Sequence, residues 1–289
     1  MKFAYIFLFL MLDVYASERV LIITHAHSRP DFIELQEKTF RIFLKDTYEY
    51  VVFNDAPNDN MCRKIENTCR KLNIRCFRIP PEMHNGRQTP NYRHVDGIQF
   101  SLETLGFDHD GIVLMLDSDM FLVKPFSVNE YMGDYDFIGF EQERVDGARK
   151  VFYSGPHLVF MNMKTLPNKR TLSFEGDRVE GLACDVGGHS YYYFVNNPSI
   201  RIKLASCIST TPLLSKAIEE IRSLGFDEQE IAFIFKLGKT YGMEFHGNKH
   251  FIHFYAGGSN WPGYSATYLK EKTRLLNQHI DQCILKYRN

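Results

Sequence analysis

Two carboxylates interrupt an apolar stretch near the middle of the chain. Gly111-Ile112-Val113-Leu114-Met115-Leu116 runs straight into Asp117-Ser118-Asp119, and Met120-Phe121-Leu122-Val123 follows at once. Burying an unpaired charge is expensive, and a bound cation offsets that cost. Alternate residues of a strand share a face, so at a strand-to-turn junction both carboxylates can reach one ion. Hard divalent cations such as Mn2+ or Mg2+ prefer carboxylate oxygens and keep positions open for phosphate oxygens. Such an ion neutralises a diphosphate as it leaves. The plainer alternative is a strand-end turn with two solvated aspartates. A second candidate is His253, at the head of His253-Phe254-Tyr255-Ala256-Gly257-Gly258-Ser259-Asn260-Trp261-Pro262. An imidazole suits Mn2+, and Gly257 and Gly258 let backbone N–H groups approach phosphate closely.

Three further residues have the right chemistry for such a site. Arg93 ends the run Arg87-Gln88-Thr89-Pro90-Asn91-Tyr92-Arg93 and leads into a helix expected over Val95 to Leu105. Its guanidinium matches phosphate oxygens, and a helix N-terminus adds positive potential. Arg87 is a weaker candidate. Asp185 stands just before the pair Gly187-Gly188, where it can bind sugar hydroxyls or act as general base toward a hydroxyl. Glu141, following a strand expected over Asp136 to Phe140, is its rival. His25, His27, Asp108 and Asp110 read as polar fillers or solvated loop residues.

These residues need a scaffold, and the pattern around them supplies one. Val20 to Thr24, Tyr50 to Phe53 and Arg75 to Ile79 read as strands. The periodic apolar residues of Asp31 to Leu44 and of Met61 to Leu72 read as helices between them. This βαβαβ alternation predicts an α/β fold with a parallel sheet, whose ligands bind beyond the carboxyl ends of the strands. Thr24 and Asp55 lie at two such ends. Further on, strands are expected at Tyr135 to Phe140 and His157 to Asn162, with a polar loop over Arg170 to Glu180. Thr211-Pro212 reads as a helix start, Asp227 and Glu230 as a capping box, and Leu269 to Tyr287 as an amphipathic helix.

The segment Ile112 to Val123 resembles the DxD strand of the GT-A glycosyltransferases, and the order of elements before it fits that fold. The resemblance implies a Rossmann-like, mixed but mostly parallel sheet flanked by helices. It implies that Asp119 ligates the metal directly and that Asp117 contacts the donor ribose or the metal. By the same analogy Thr24 and Asp55 meet the base and ribose, Arg93 the diphosphate, and Asp185 the transferred sugar. The segment beginning at His253 is similar to the His-x-x-Gly-x-x-Lys-Pro-Trp segment of the glycogenin-like family 8 enzymes, in which the His completes the metal site. His253 and Trp261 match in type; the glycine falls one place late, and Asn260 stands where a Lys-Pro pair belongs. The implied activity is metal-dependent transfer of a sugar from a nucleotide-diphosphate donor, a UDP-sugar first, to a hydroxyl on a glycan, lipid or protein.

Composition narrows the alternatives. The formal net charge of -1 points to neither nucleic acid nor an anionic membrane surface. Of the six cysteines none forms a Cys-x-x-Cys pair, which speaks against a structural zinc site, and Cys62 and Cys69 fall on one helical face as small buried residues. Lys2 followed by the apolar run Phe3 to Leu12 and by Val14-Tyr15-Ala16 reads as a signal peptide over residues 1–17. A buried first strand or an uncleaved anchor is the alternative. The expectation is thus a single domain over residues 18–289 in the secretory pathway or exported, and a cytoplasmic protein if that segment is no signal. Two rival functions remain: a haloacid-dehalogenase-type phosphatase, which places its Asp-x-Asp on the first strand, and a GT-A-shaped sugar-binding protein without turnover.

Overall fold

The computed structural model describes residues 19–84, 89–255 and 264–288. The signal segment, Arg87, Gly257, Gly258, Asn260 and Trp261 lie outside the described residues.

Thirteen strands are described: β1 (Val20–Ala26), β2 (Tyr48–Asn54), β3 (Arg75–Arg78), β4 (Ile112–Leu116), β5 (Met120–Leu122), β6 (Phe137–Asp146), β7 (Arg149–Asn162), β8 (Asp177–Val179), β9 (Leu182–Cys184), β10 (Ile202–Ala205), β11 (Ile208–Ser209), β12 (Glu244–His246) and β13 (Phe251–His253). Seven form one sheet in the order β10-β6-β7-β4-β1-β2-β3. The pairs β1–β2, β1–β4, β2–β3 and β6–β10 are parallel, and β7 alone runs against its neighbours. The fold is therefore α/β, built on a mixed and mostly parallel sheet, as the alternation of elements predicts.

The first helices form where sequence signals place them. α1 (Pro30–Phe43) opens on a first-turn proline, whose missing N–H has no intrahelical acceptor to lose. α2 (Asp59–Leu72) is capped by the Asn58 side chain, which accepts from the Met61 N–H, and is closed by Asn73 in the left-handed region. Both Cys62 and Cys69 are buried on its inner face. Each face of the sheet carries its own core. Val20, Ile22, Leu114 and Leu116 join α1, α2 and the elements beyond them; Leu21, Ile23, Val113 and Met115 join the opposite layer with Ile98 and Tyr193. This two-sided burial explains why β4 reads as an unbroken apolar run.

Several boundaries differ from expectation. The helix expected from Val95 begins earlier, as α3 (Pro90–Ser101), because Pro90 seeds its first turn; it continues into a π-helical turn, Leu102–Gly106. β6 and β7 extend well beyond their apolar cores into a polar hairpin closed at Gly147. The polar segment after Arg170 contains β8, paired with β9. Thr211 and Pro212 lie inside the short helix Thr210–Leu213, which starts after Ser209. The capping box forms as read: the Asp227 side chain accepts from Glu230 N–H while Glu230 accepts from Asp227 N–H. The last helix, Ala266–Arg288, matches the amphipathic pattern. No helix among the described residues is long and apolar enough to cross a membrane.

A second, antiparallel sheet has the order β11-β12-β13-β5. Its edge strand β5 follows the DxD tripeptide directly, so Asp117-Ser118-Asp119 is the hinge at which the chain leaves the large sheet for the small one.

Candidate active site

The hinge is held from three sides. The Asp117 N–H donates to the His157 carbonyl (2.9 Å), and the Asp119 carbonyl accepts from the Phe254 N–H (2.8 Å). From α1 the buried Gln36 amide donates to the carbonyls of Asp117 and Met120, both at 2.9 Å, while its own oxygen accepts from the Tyr50 hydroxyl at 2.5 Å. The His157 bond carries the β4–β7 ladder one step past Leu116↔Leu158, while on its other side β7 departs from its ladder with β6 around Pro156. The pairing jumps there from Ile138↔Phe160 to Phe140↔Gly155, and a proline inside a strand is tolerated at such an irregularity.

The small sheet delivers His253. Its register pairs Met120 with His253 and His253 with Glu244. His253 Nε2 lies 3.3 Å from Asp119 Oδ1 and 3.8 Å from Asp117 Oδ2, and Nδ1 lies 3.4 Å from Glu244 Oε2. Burial pulls the imidazole pKa down, but Asp119, Glu244 and Asp117 outweigh it and hold it up at about 10. A proton on His253 thus stands where the surrounding carboxylates call for a cation. Asp117, Asp119 and His253 each offer one ligand atom within 4.8 Å of the others. Two carboxylates and one imidazole fit Mn2+ or Mg2+ in donor type, and binding would displace the His253 proton.

A cavity of about 640 Å³ opens above this group, within the size range of small-ligand sites. The first turn of α3 crosses it and addresses three carboxylates in turn. Asn91 Nδ2 donates to Asp185 Oδ1 (3.1 Å), Arg93 Nη2 to Asp55 Oδ1 (2.5 Å), and His94 Nε2 lies 3.4 Å from Asp117 Oδ1. Asp55 is a hub. It also receives His84 Nε2 at 2.9 Å, and its carbonyl lies 2.8 Å from His27 Nδ1. Burial would raise the Asp55 carboxyl, but His27, Arg93 and His84 together hold it below its ordinary range. Arg93, expected at the diphosphate, is directed onto Asp55, and its buried Nε has no hydrogen-bond partner among the described residues.

Asp185 lines the cavity as an exposed carboxylate. Its Oδ1 accepts from the Val186 N–H (2.8 Å), and its own N–H donates to the Tyr153 hydroxyl (3.2 Å). The loop that presents it needs Gly187, which sits at φ +100° with the Ser154 carbonyl 2.0 Å from where a Cβ would be.

Two expectations are corrected. Glu141 does not line the cavity: β6 sends Phe140 and Gln142 inward, and strand alternation turns Glu141 away, opposite Ser154. Thr24 is fully buried on the α1 side of β1 and donates its hydroxyl to the Leu116 carbonyl (3.0 Å), fastening β1 to the strand that carries Asp117. Its neighbour His25 faces the cavity instead, with Nε2 2.9 Å from Ser101 Oγ, and His27 lines the cavity as well. Burial first, then His94, lowers the His25 pKa to about 3, so it stays neutral.

His157, Glu244 and Tyr255 also line the cavity, and the sequence pattern singled out none of them. Tyr255 adopts φ +58°, uncommon for a bulky side chain and a mark of local strain beside the site. Lys272, buried on the last helix, reaches the Tyr255 carbonyl at 3.2 Å. Burial lowers its pKa to about 8 against the pull of Asp119 and Glu244.

No protein-family model and no curated protein matches the chain. Among solved structures, the galactosyltransferase LgtC in complex with donor and acceptor sugar analogs is similar at a TM-score of 0.35 and 17% identity. The match covers 50% of this chain and 58% of that one, so the chain spans somewhat over half the length of that structure.

Proposed function

We propose that the protein is a metal-dependent glycosyltransferase that moves a sugar from a nucleotide-diphosphate donor, a UDP-sugar first, to a hydroxyl of a glycan, lipid or protein. The observation that carries this reading is the meeting of Asp117, Asp119 and His253 around one ion-sized space at the base of a cavity of about 640 Å³. Mn2+ or Mg2+, when bound, supplies the positive charge that stabilises a departing nucleoside diphosphate. Asp55 and His27, at the ends of two parallel strands, are placed to take ribose hydroxyls. Arg93 beside them offers further donors to anionic oxygens. Asp185, exposed on the cavity wall and steadied by Asn91 and the Val186 N–H, is placed to accept the proton of the attacking hydroxyl or to hold sugar hydroxyls.

The phosphatase alternative places its Asp-x-Asp on the first strand of the fold; here the pair follows β4, after three earlier strands.

The test is thermal stability of the protein with nucleoside diphosphates, with and without Mn2+, in wild type and Asp119→Asn. A ligand at 100 times its dissociation constant adds about 2.7 kcal/mol, a shift of several degrees. A Mn2+-dependent shift with one nucleotide, absent in Asp119→Asn, is expected and names the base. A folded wild type that responds to no nucleotide would overturn the transferase reading.

A further inference from the structure

The small sheet gathers a second set of metal-ligating side chains behind His253. Glu244 and His246 are alternate residues of β12 and so share a face. The β11–β12 register, Ile208↔Phe245 and Ser209↔Glu244, brings the preceding Cys207 alongside His246. Cys207, Glu244 and His246 each offer one ligand atom within 4.8 Å of the others. This closeness arises from strand pairing between distant segments, which is why the absence of a Cys-x-x-Cys pair says nothing about it.

The cluster is hydrogen-bonded through Glu244, but at long range. His246 Nε2 and His253 Nδ1 both lie 3.4 Å from the same oxygen, Glu244 Oε2. That is longer than a good N–H···O contact of about 2.7–3.2 Å. His253 Nδ1, fully buried, has no hydrogen-bond partner among the described residues. The spacing fits a small ion better. Ligands at about 2.0–2.3 Å in a tetrahedron lie roughly 3.3–3.8 Å from one another.

We propose that Cys207, Glu244 and His246 hold a second divalent ion, distinct from the one at Asp117 and Asp119. Thiolate, imidazole and carboxylate together select Zn2+ over Mn2+ or Mg2+. Binding releases the Cys207 thiol proton to solvent as the sulfur–metal bond forms. With three protein ligands, water completes the fourth position from the solvent side, where Cys207 and Glu244 are partly exposed. The two ions flank the His253 ring, one facing Nε2 and the other beyond Glu244 on the Nδ1 side. The second ion therefore ties β11 to β12 and fixes the carboxylate that orients His253.

The experiment uses the full protein stripped with a chelator and titrated with Co2+, which reports thiolate ligation as a sulfur-to-metal absorption band. Expected is such a band in wild type, its loss in Cys207→Ser, and the loss of about one bound zinc per chain in that variant after Zn2+ loading. Asp119→Asn keeps the band, so failure of the transferase reading leaves this result standing. Cys207→Ser must retain the far-ultraviolet dichroism and cooperative thermal unfolding of the metal-free wild type, which shows that it is folded. A wild type without the band, a band that persists in Cys207→Ser, or an unchanged zinc content overturns the proposal and leaves Glu244 as a hydrogen-bonding carboxylate only.

Discussion

The large sheet and the small sheet bring residues to the same cavity by different routes. In the large sheet, β1, β2 and β4 are parallel neighbours, and each releases its residue just beyond its carboxyl end: His25 and His27, Asp55, then Asp117. In the small sheet, β12 and β13 form a local hairpin to which β5 is added from a distant part of the chain, and His253 reaches Asp119 only because Met120 pairs with His253. The first route builds the wall proposed for the nucleotide. The second, through the pairing of β5 with β13, completes the proposed cation site. A change in one should therefore be separable from a change in the other, and three experiments test this.

The largest effect is expected on the cavity wall after β9, apart from both sheets. Asp185→Asn removes the carboxylate that faces the cavity and should lower the transfer rate by about 10²–10⁴-fold while leaving Mn2+-dependent nucleotide binding intact. Glu141→Gln, on the outer face of β6, should leave the rate unchanged. Steady-state rates of donor consumption with each variant decide it. If Glu141→Gln is the damaging change, strand alternation has been misapplied at this β6 irregularity.

Next comes the response to acid. His279, stacked on Phe233 at 3.9 Å against the small-sheet side, has its pKa lowered to about 4, by burial first. Its folded value lies below the unfolded one, near 6.5. The unfolded chain thus binds more protons, and stability falls as pH drops from about 6.5 to 4, by about 2–3 kcal/mol. Asp136, at the β6–β10 edge, is held at about 2 by its hydrogen bonds with Arg201, whose Nη2 lies 2.8 Å away. Its contribution is full above about pH 4 and is lost toward pH 2, roughly 2 kcal/mol. Urea midpoints across this range should show two limbs. His279→Phe should make the upper one shallower, the rest of it coming from buried His25 and His157, and Asp136→Asn should do the same to the lower; an upper limb insensitive to His279→Phe would refute the assignment.

How much of this was readable beforehand follows the same division. The βαβαβ half was legible because each element carries its own signal: the periodic apolar residues of α1 and α2, the apolar run of β4, and Asp117 and Asp119 breaking that run. His253 was legible as a residue type near glycines, but not its partner Glu244, because no local pattern reveals which strands of an irregular region will pair. Thr24 and His25 were exchanged for a smaller reason. Knowing that β1 ends near the site does not fix which of two alternating side chains faces it, and a one-residue error turns the strand over. Glu141 and Gln142 repeat that error on β6.

Gln36 is the residue that joins the two routes, and it gives the smallest and most specific test. It lies on α1, yet its amide holds the carbonyls on both sides of the hinge between the sheets, and Tyr50 of β2 fixes the amide in turn. Gln36→Leu keeps the apolar volume but leaves two buried carbonyls and the Tyr50 hydroxyl without that partner. At about 1–3 kcal/mol for each unsatisfied group, less whatever water recovers, a net loss of about 2–3 kcal/mol in a denaturant titration is expected. The same change frees the backbone that aims Asp117 and Asp119, so Mn2+ affinity should fall about 10-fold or more, as for other groups that orient metal ligands. Asp136→Asn, matched in stability loss but remote from the hinge, should leave Mn2+ affinity where it is. If both variants weaken Mn2+ equally, the metal group responds to global stability alone. If only Gln36→Leu does, the hinge is held in place from α1, and the two sheets meet at the ion through it.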